Sequence, residues 1–173
     1  MMALCWILPG CEIDNCPPNA MAYAKFALVD QVNRPIKLTQ PLSVIGEIIT
    51  DVAVKDTADD GSISDIIVKD SVVRDTLINM ESDVSEFKIP LSFLEKTRII
   101  LSMNNGEISD AIDITHRNIP YFYNLDCGTM MFYEVTNVTC TTLALDSISI
   151  TNPNIDNHEK ENFKIHFTLT DPE

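Results

Sequence analysis

A chain of 173 residues, 45% hydrophobic and 22% charged, has the composition of a globular domain rather than a disordered one. It is long enough to bury about two-thirds of its surface without help from a metal. Its net charge of -14 repels phosphate backbones and anionic headgroups, which argues against nucleic-acid binding and spontaneous membrane adsorption. Such a charge ordinarily serves solubility, so any membrane attachment has to be covalent.

Residues 1–10 are almost wholly apolar, and Cys11, Glu12 and Asp14 follow. The run is too short to span a bilayer, which takes about 20 residues. It reads as the end of a secretory signal. Leu8-Pro9-Gly10-Cys11 resembles a bacterial lipobox, in which the cysteine thiol receives a diacylglyceryl group and the signal is cut just before it. No Lys or Arg precedes Lys25, so the true start is expected further upstream, inside a longer signal. Two or more acyl chains would hold the mature chain firmly, where one would bind only marginally. The domain reading is a signal remnant over 1–10, a lipidated tether over 11–19 and one β-domain over 20–173. The alternative is a buried first strand with Cys11 an ordinary cysteine.

With Cys5 removed and Cys11 acylated, Cys16, Cys127 and Cys140 remain in an oxidising compartment. Three pairings are open. Cys16 (in Cys-Pro-Pro) and Cys127 (in Asp-Cys-Gly) both lie in turn chemistry, so a Cys16–Cys127 disulfide with Cys140 free is expected.

The body reads as short strands rich in Val, Ile, Thr, Phe and Tyr, broken by Asn, Asp, Gly and Pro. Residues 20–30 alternate, with Ala24, Phe26 and Leu28 on one face. A strand is predicted from Leu42 to Val54, with Gly46 as a bulge. Asp59-Asp60-Gly61 marks a turn. Residues 63–79 are less regular, and a short strand follows at 86–91. Asn105-Gly106 predicts a two-residue hairpin, since both central positions of a type I′ turn need positive φ. That hairpin puts Met103 opposite Ile108 and Ile99 opposite Ile112, but also Leu101 opposite Asp110. A strand from Met130 to Thr141 comes next. The segment 143–150 switches face between Leu145 and Ile148, so a bulge is predicted there. In the last strand Phe163, Ile165, Phe167 and Leu169 alternate with Lys164, His166 and Thr168. About eight strands without helical periodicity predict an all-β, antiparallel β-sandwich of immunoglobulin-like kind, with a β-barrel as the alternative.

No constellation of catalytic residues stands out. Five scattered glycines cannot cradle a phosphate. His116, His158 and His166 lack ligand spacing and read as solvated side chains, so no metal is expected. Asp56, Asp59, Asp60 and Asp65 around Gly61 read as an acidic turn, because Ile67 stands where a calcium loop needs its bidentate Glu. Cys140 shares parity with Val138 and Phe132 and reads as a packing residue. Tyr121, Phe122 and Tyr123 read as core and rim packing, with a sugar-stacking platform as the other possibility.

Cys11 shortly before Cys16-Pro17, the strand around Phe26, Ile89-Pro90-Leu91 before a strand–Asn-Gly–strand unit, and Asp126-Cys127-Gly128 leading into Phe132-Tyr133-Glu134 occur in that order. In this the chain, from Cys11 to Thr170, resembles a family of small Bacteroidota envelope lipoproteins known only as a domain of unknown function. The resemblance implies a lipoprotein and a β-rich fold, and no activity, cofactor or catalytic residue. The expectation is a non-enzymatic interaction or assembly module of the outer membrane, periplasmic or surface-facing. Its partners would be the membrane, through the anchor, and another envelope protein. The alternative is a binder of a small ligand or glycan.

Overall fold

The computed structural model describes Cys16 and residues 21–57 and 61–168. The signal segment, Cys11, Asp59, Asp60 and Leu169 lie outside the described residues. Ten strands form: β1 (Tyr23–Asp30), β2 (Leu42–Thr57), β3 (Ile63–Glu81), β4 (Glu86–Pro90), β5 (Lys96–Met103), β6 (Ile108–Asn124), β7 (Gly128–Cys140), β8 (Ser147–Ile150), β9 (Asn154–Ile155) and β10 (Glu161–Phe167). They make two sheets, ordered β4-β1-β10-β8 and β3-β2-β5-β6-β7-β9. The predicted β-sandwich is therefore present, and the sheets keep open edges rather than closing into a barrel. One pairing departs from the antiparallel pattern: β1 runs parallel to β10. Among the described residues, no helix is long and apolar enough to cross a membrane.

The core lies where the two inner faces meet. Phe26, Leu28, Phe163 and Ile165 of the smaller sheet are fully buried, as are Leu42, Val44, Ile99, Leu101, Ile112 and Ile114 of the larger. Each set sits at alternate positions of its strand, which is what a half-buried strand needs to send one face inward.

Where only one sheet face is buried, alternation predicted both strand and register. Met103 faces Ile108, Ile99 faces Ile112 and Leu101 faces Asp110, as expected. The turn itself differs. Asn104, Asn105 and Gly106 all have positive φ, so a four-residue loop replaces the two-residue turn. Gly46 is not a bulge: it pairs regularly with Asp75 and Ile99. The irregularities lie on either side of it, between Leu42 and Ile45 and between Thr50 and Val52, with the extra residues on β3, where Asp70 and Met80 have positive φ. A Cβ on Gly46 would sit 3.4 Å from the Leu77 side chain, so the glycine makes room for that leucine. The segment 143–146 is not strand but a loop, and β8 begins only at Ser147.

Asp110 explains that loop. The residue is fully buried, yet all its lone pairs are used. Thr141 Oγ1 and the Leu143 N–H donate to Oδ1 at 2.6 and 2.8 Å, and the Ala144 and Leu145 N–H groups donate to Oδ2 at 2.7 and 3.1 Å. Burial pushes the carboxyl pKa up, but these hydrogen bonds outweigh it and hold the group below the usual carboxylate range. Asp110→Ala leaves three backbone donors without their acceptor in the interior. It is expected to cost about 3 kcal/mol in urea unfolding, with Asp110→Asn intermediate.

Candidate functional site

The larger sheet is forked. β5 is short, and its pairings end at Arg98 with Glu47 on one side and Lys96 with Thr115 on the other. Beyond that line β2 pairs only with β3, and β6 only with β7. The two hairpins therefore run past the same end of β5 as separate prongs. At about 3.3 Å per residue, each extends for roughly 30 Å.

The first prong, residues 48–57 with 63–73, carries exposed apolar side chains on both faces, interrupted by the pairs Thr50–Ser71, Lys55–Asp65 and Asp56–Ser64. Register pairs Ile48 with Val73, Val52 with Val68 and Val54 with Ile66 on the face that continues the core side. The opposite face pairs Ile49 with Val72 and Ala53 with Ile67. Ile49 is 60% exposed and Ile67 67%. A ribbon of two strands is marginal alone, and the apolar groups exposed on both of its faces make it the candidate site. The sequence predicts its β2 side as strand to Val54, but residues 63–73 read as irregular because neither face of the prong meets the core, so one-sided alternation is not required there.

The second prong, residues 116–124 with 128–135, carries Tyr121, Phe122 and Tyr123 at 46, 60 and 42% exposure and Leu125 at 92%. Tyr121 packs at the rim, stacked on Phe132 with centroids 5.1 Å apart, and Tyr123 lies 6.4 Å from Tyr121, while Phe122 is more exposed than either. Cys127 closes this tip and is joined to Cys16, with Cα atoms 5.5 Å apart. The expected disulfide is thus present, and it fixes Cys16 at the prong's end. Cys140 is free and half-buried. Burial and then the nearby Asp110 carboxylate push its thiol pKa up, which keeps it protonated and unreactive near neutral pH.

Between the prongs lies the connection from β4 to β5, with Phe93 74% and Leu94 54% exposed. Open grooves flank the root of the first prong on both faces. One, of ≈ 260 Å³, is lined by Gly46, Ile48, Val73, Leu77, Leu91 and Phe93. The other, of ≈ 210 Å³, is lined by Glu47, Ile49, Leu94, Lys96, Arg98 and Asp113. The second groove is edged by an ion ladder across four strands. Arg74 lies 2.9 Å from Glu47, Arg98 lies 3.3 Å from Glu47 and 3.2 Å from Asp113, and Lys96 lies 3.5 Å from Asp113. Opposite charges facing each other across strands hold the root of the prong in register. The Arg98 Nε itself makes no hydrogen bond, so its contact with Glu47 is purely an ion pair.

The floor of the fork is held by a buried histidine, which corrects the expectation of solvated histidines for His116, 1% exposed. Its Nδ1 lies 2.9 Å from Asn118 Oδ1, and its Nε2 lies 2.9 Å from Thr97 Oγ1. Asn118 Nδ2 donates to the Phe93 carbonyl at 2.5 Å, which leaves Oδ1 as acceptor and places the histidine proton on Nδ1. Burial favours the neutral ring, in which Nε2 accepts from Thr97 Oγ1. Burial lowers its pKa, more than Asn118 and Glu95 raise it. Because the folded value is depressed, this contribution to stability is complete above the unfolded value of about 6.5. It is lost as pH falls from there through the folded value, since the unfolded chain takes up a proton first. Wild type is expected to lose more stability between pH 7.5 and 5.5 than His116→Gln in parallel denaturant titrations.

His166 lies on the outer face of β10, with Nε2 3.1 Å from Ser149 Oγ. Asp56 and Asp65 are exposed near the end of the first prong. Among the described residues, no three His, Cys, Asp or Glu side chains come together as metal ligands.

No curated protein and no solved structure matches the chain. Residues 64–167, which run from β3 through β10 and hold the second prong and the β3 side of the first, match the family of unknown function DUF6452, and the chain belongs to that family.

Proposed function

We propose that the protein is a non-enzymatic docking module of the bacterial cell envelope, tethered by lipid at Cys11, which receives an envelope protein partner at its forked end. The observation that carries this reading is the first prong, whose two apolar faces are unpartnered among the described residues. The lipobox-like Leu8-Pro9-Gly10-Cys11 and the likeness to Bacteroidota envelope lipoproteins support the tether. Geometry adds to it. The disulfide holds Cys16 at the tip of the second prong, and five residues span at most about 18 Å. A lipid on Cys11 therefore keeps Tyr121, Phe122, Tyr123 and Leu125 close to the bilayer, where amphipathic rings favour the interface. The fork then faces the membrane, and the partner is one that reaches that side of the sandwich.

A photo-crosslinking residue placed at Ile67 or Phe93 in the native host tests the docking reading. One discrete adduct with another envelope protein is expected; only diffuse adducts, or none, would overturn it. Labelled palmitate should enter the wild type and not Cys11→Ala; an unlabelled wild type ends the tether. A glycan-binding reading is favoured by the solvent-facing rings of Tyr121 and Tyr123, and quenching of tyrosine fluorescence by oligosaccharides would support it.

A further inference from the structure

We propose that two copies of this chain pair through the outer edges of their β3 strands, antiparallel about a two-fold axis, so that the first prongs join into one four-stranded ribbon. β3 is the terminal strand of its sheet, and among the described residues the one strand it pairs with is β2. An edge of this length is a template for another strand.

The sequence of β3 selects a second copy as occupant. When the strand is laid antiparallel on itself with Val68 opposite Ser71, Ile67 meets Val72, Ile66 meets Val73 and Asp65 meets Arg74. Lys69 and Asp70 meet across the axis. Every pair occurs twice, as an isologous contact requires. Apart from Val68, which faces Ser71, apolar residues face apolar ones, and each charge faces its opposite, the pattern that stabilises neighbouring strands. All of these residues are exposed except the half-buried Ser71.

The bulge in β3 makes the match possible. Adjacent residues of a strand direct their amide groups to opposite edges, so a strand pairs with itself only between positions of like orientation. Val68 and Ser71 differ in parity and would be mismatched in a regular strand. Here Val68 pairs with Val52 and Ser71 with Thr50, so both keep the same orientation toward β2. The extra residue lies at Lys69–Asp70, where Asp70 has φ 52° and its N–H is taken by Asp51 Oδ1 at 3.1 Å. Bulges usually block edges; this one restores the phase that self-pairing needs.

This inference concerns the edge of the prong and the docking reading concerns its faces, so either can fail alone. Sedimentation of the full chain at about 150 mM salt, where surface charges are screened only partly, tests it. Wild type is expected to be dimeric at micromolar concentration. Asp65→Lys puts two lysines opposite two arginines, and Arg74→Glu puts two glutamates opposite two aspartates. Each variant alone should dimerise at least about tenfold more weakly. Their equimolar mixture restores both opposite-charge pairs and should form heterodimers with an affinity close to wild type. Recovery in the mixture also shows that both variants fold. A monomeric wild type at the highest soluble concentration, or a mixture no tighter than its parts, would overturn the pairing, while a crosslink from Phe93 to another protein would leave the docking reading standing.

Discussion

Replacing Cys16 and Cys127 together with serine is expected to destabilise the protein by about 5 kcal/mol and to lower its melting temperature by about 15 °C. The bond joins residues 111 apart in sequence, so it removes a large closure entropy from the unfolded chain. The folded chain keeps both sheets without it, because neither cysteine lies in the core. The prediction is checked by thermal unfolding of wild type, the double serine variant and reduced wild type; the last two should agree. Cys140→Ser is the control. Its thiol is free and packs against the edge of the core, so it should stay within about 1 kcal/mol of wild type. Equal melting of oxidised and reduced protein would show that the chain leading into β1 is held at the second prong by something other than the bond.

The same bond couples stability to placement. Without it, nothing covalent holds Cys16 at the aromatic tip. The double serine variant is therefore expected to keep its core while releasing residue 16 from the tip, so stability and the placement of that residue can be read separately.

Legibility in the sequence followed burial. Ala24, Phe26 and Leu28, or Phe163, Ile165 and Phe167, alternate because one side of each strand faces the other sheet, and period two is what that demands. β3 lacks this constraint beyond Thr76: its residues 63–73 face a partner strand on one edge and no second layer on either side. Their apolar runs Ile66-Ile67-Val68 and Val72-Val73 read as irregular for that reason. Asp110 opposite Leu101 looked like a fault in the hairpin. Its acceptors serve N–H groups 33 to 35 residues later, a relation that local pattern does not hold. His116 offered one hint, its place between Ile114 and the aromatic run at the alternation of the core face. The exposure of Tyr121 to Tyr123 depends on where β5 ends, and that is set by chain connectivity two strands away.

Phe26→Ala is expected to cost about 4 kcal/mol, the largest effect of any single core substitution considered. Phe26 is the middle of three stacked rings on the inner face of the smaller sheet. Its register partners are Phe87 on β4 and Phe163 on β10. The centroids lie 4.8 and 4.7 Å away, with planes 9° and 17° apart. That spacing is the distance between neighbouring strands, so the stack follows directly from placing Phe at the same level of three adjacent strands. The ring is fully buried. Alanine removes its transfer free energy, leaves a cavity between two rigid rings and deletes both ring contacts, each worth about 1 kcal/mol. Phe26→Leu refills most of the volume and should cost about 1.5 kcal/mol. The pair of variants separates ring stacking from volume, and guanidinium midpoints at an unchanged slope report it. The parallel β1–β10 pairing brings together residues 137 apart, so the stack also fastens the two ends of the domain to each other. The prongs belong to the other sheet. Under conditions where Phe26→Ala remains folded, it should still dimerise like wild type. A loss of dimerisation without unfolding would mean that the smaller sheet sets the shape of the fork, and that the prongs are not the self-contained ribbons their register describes.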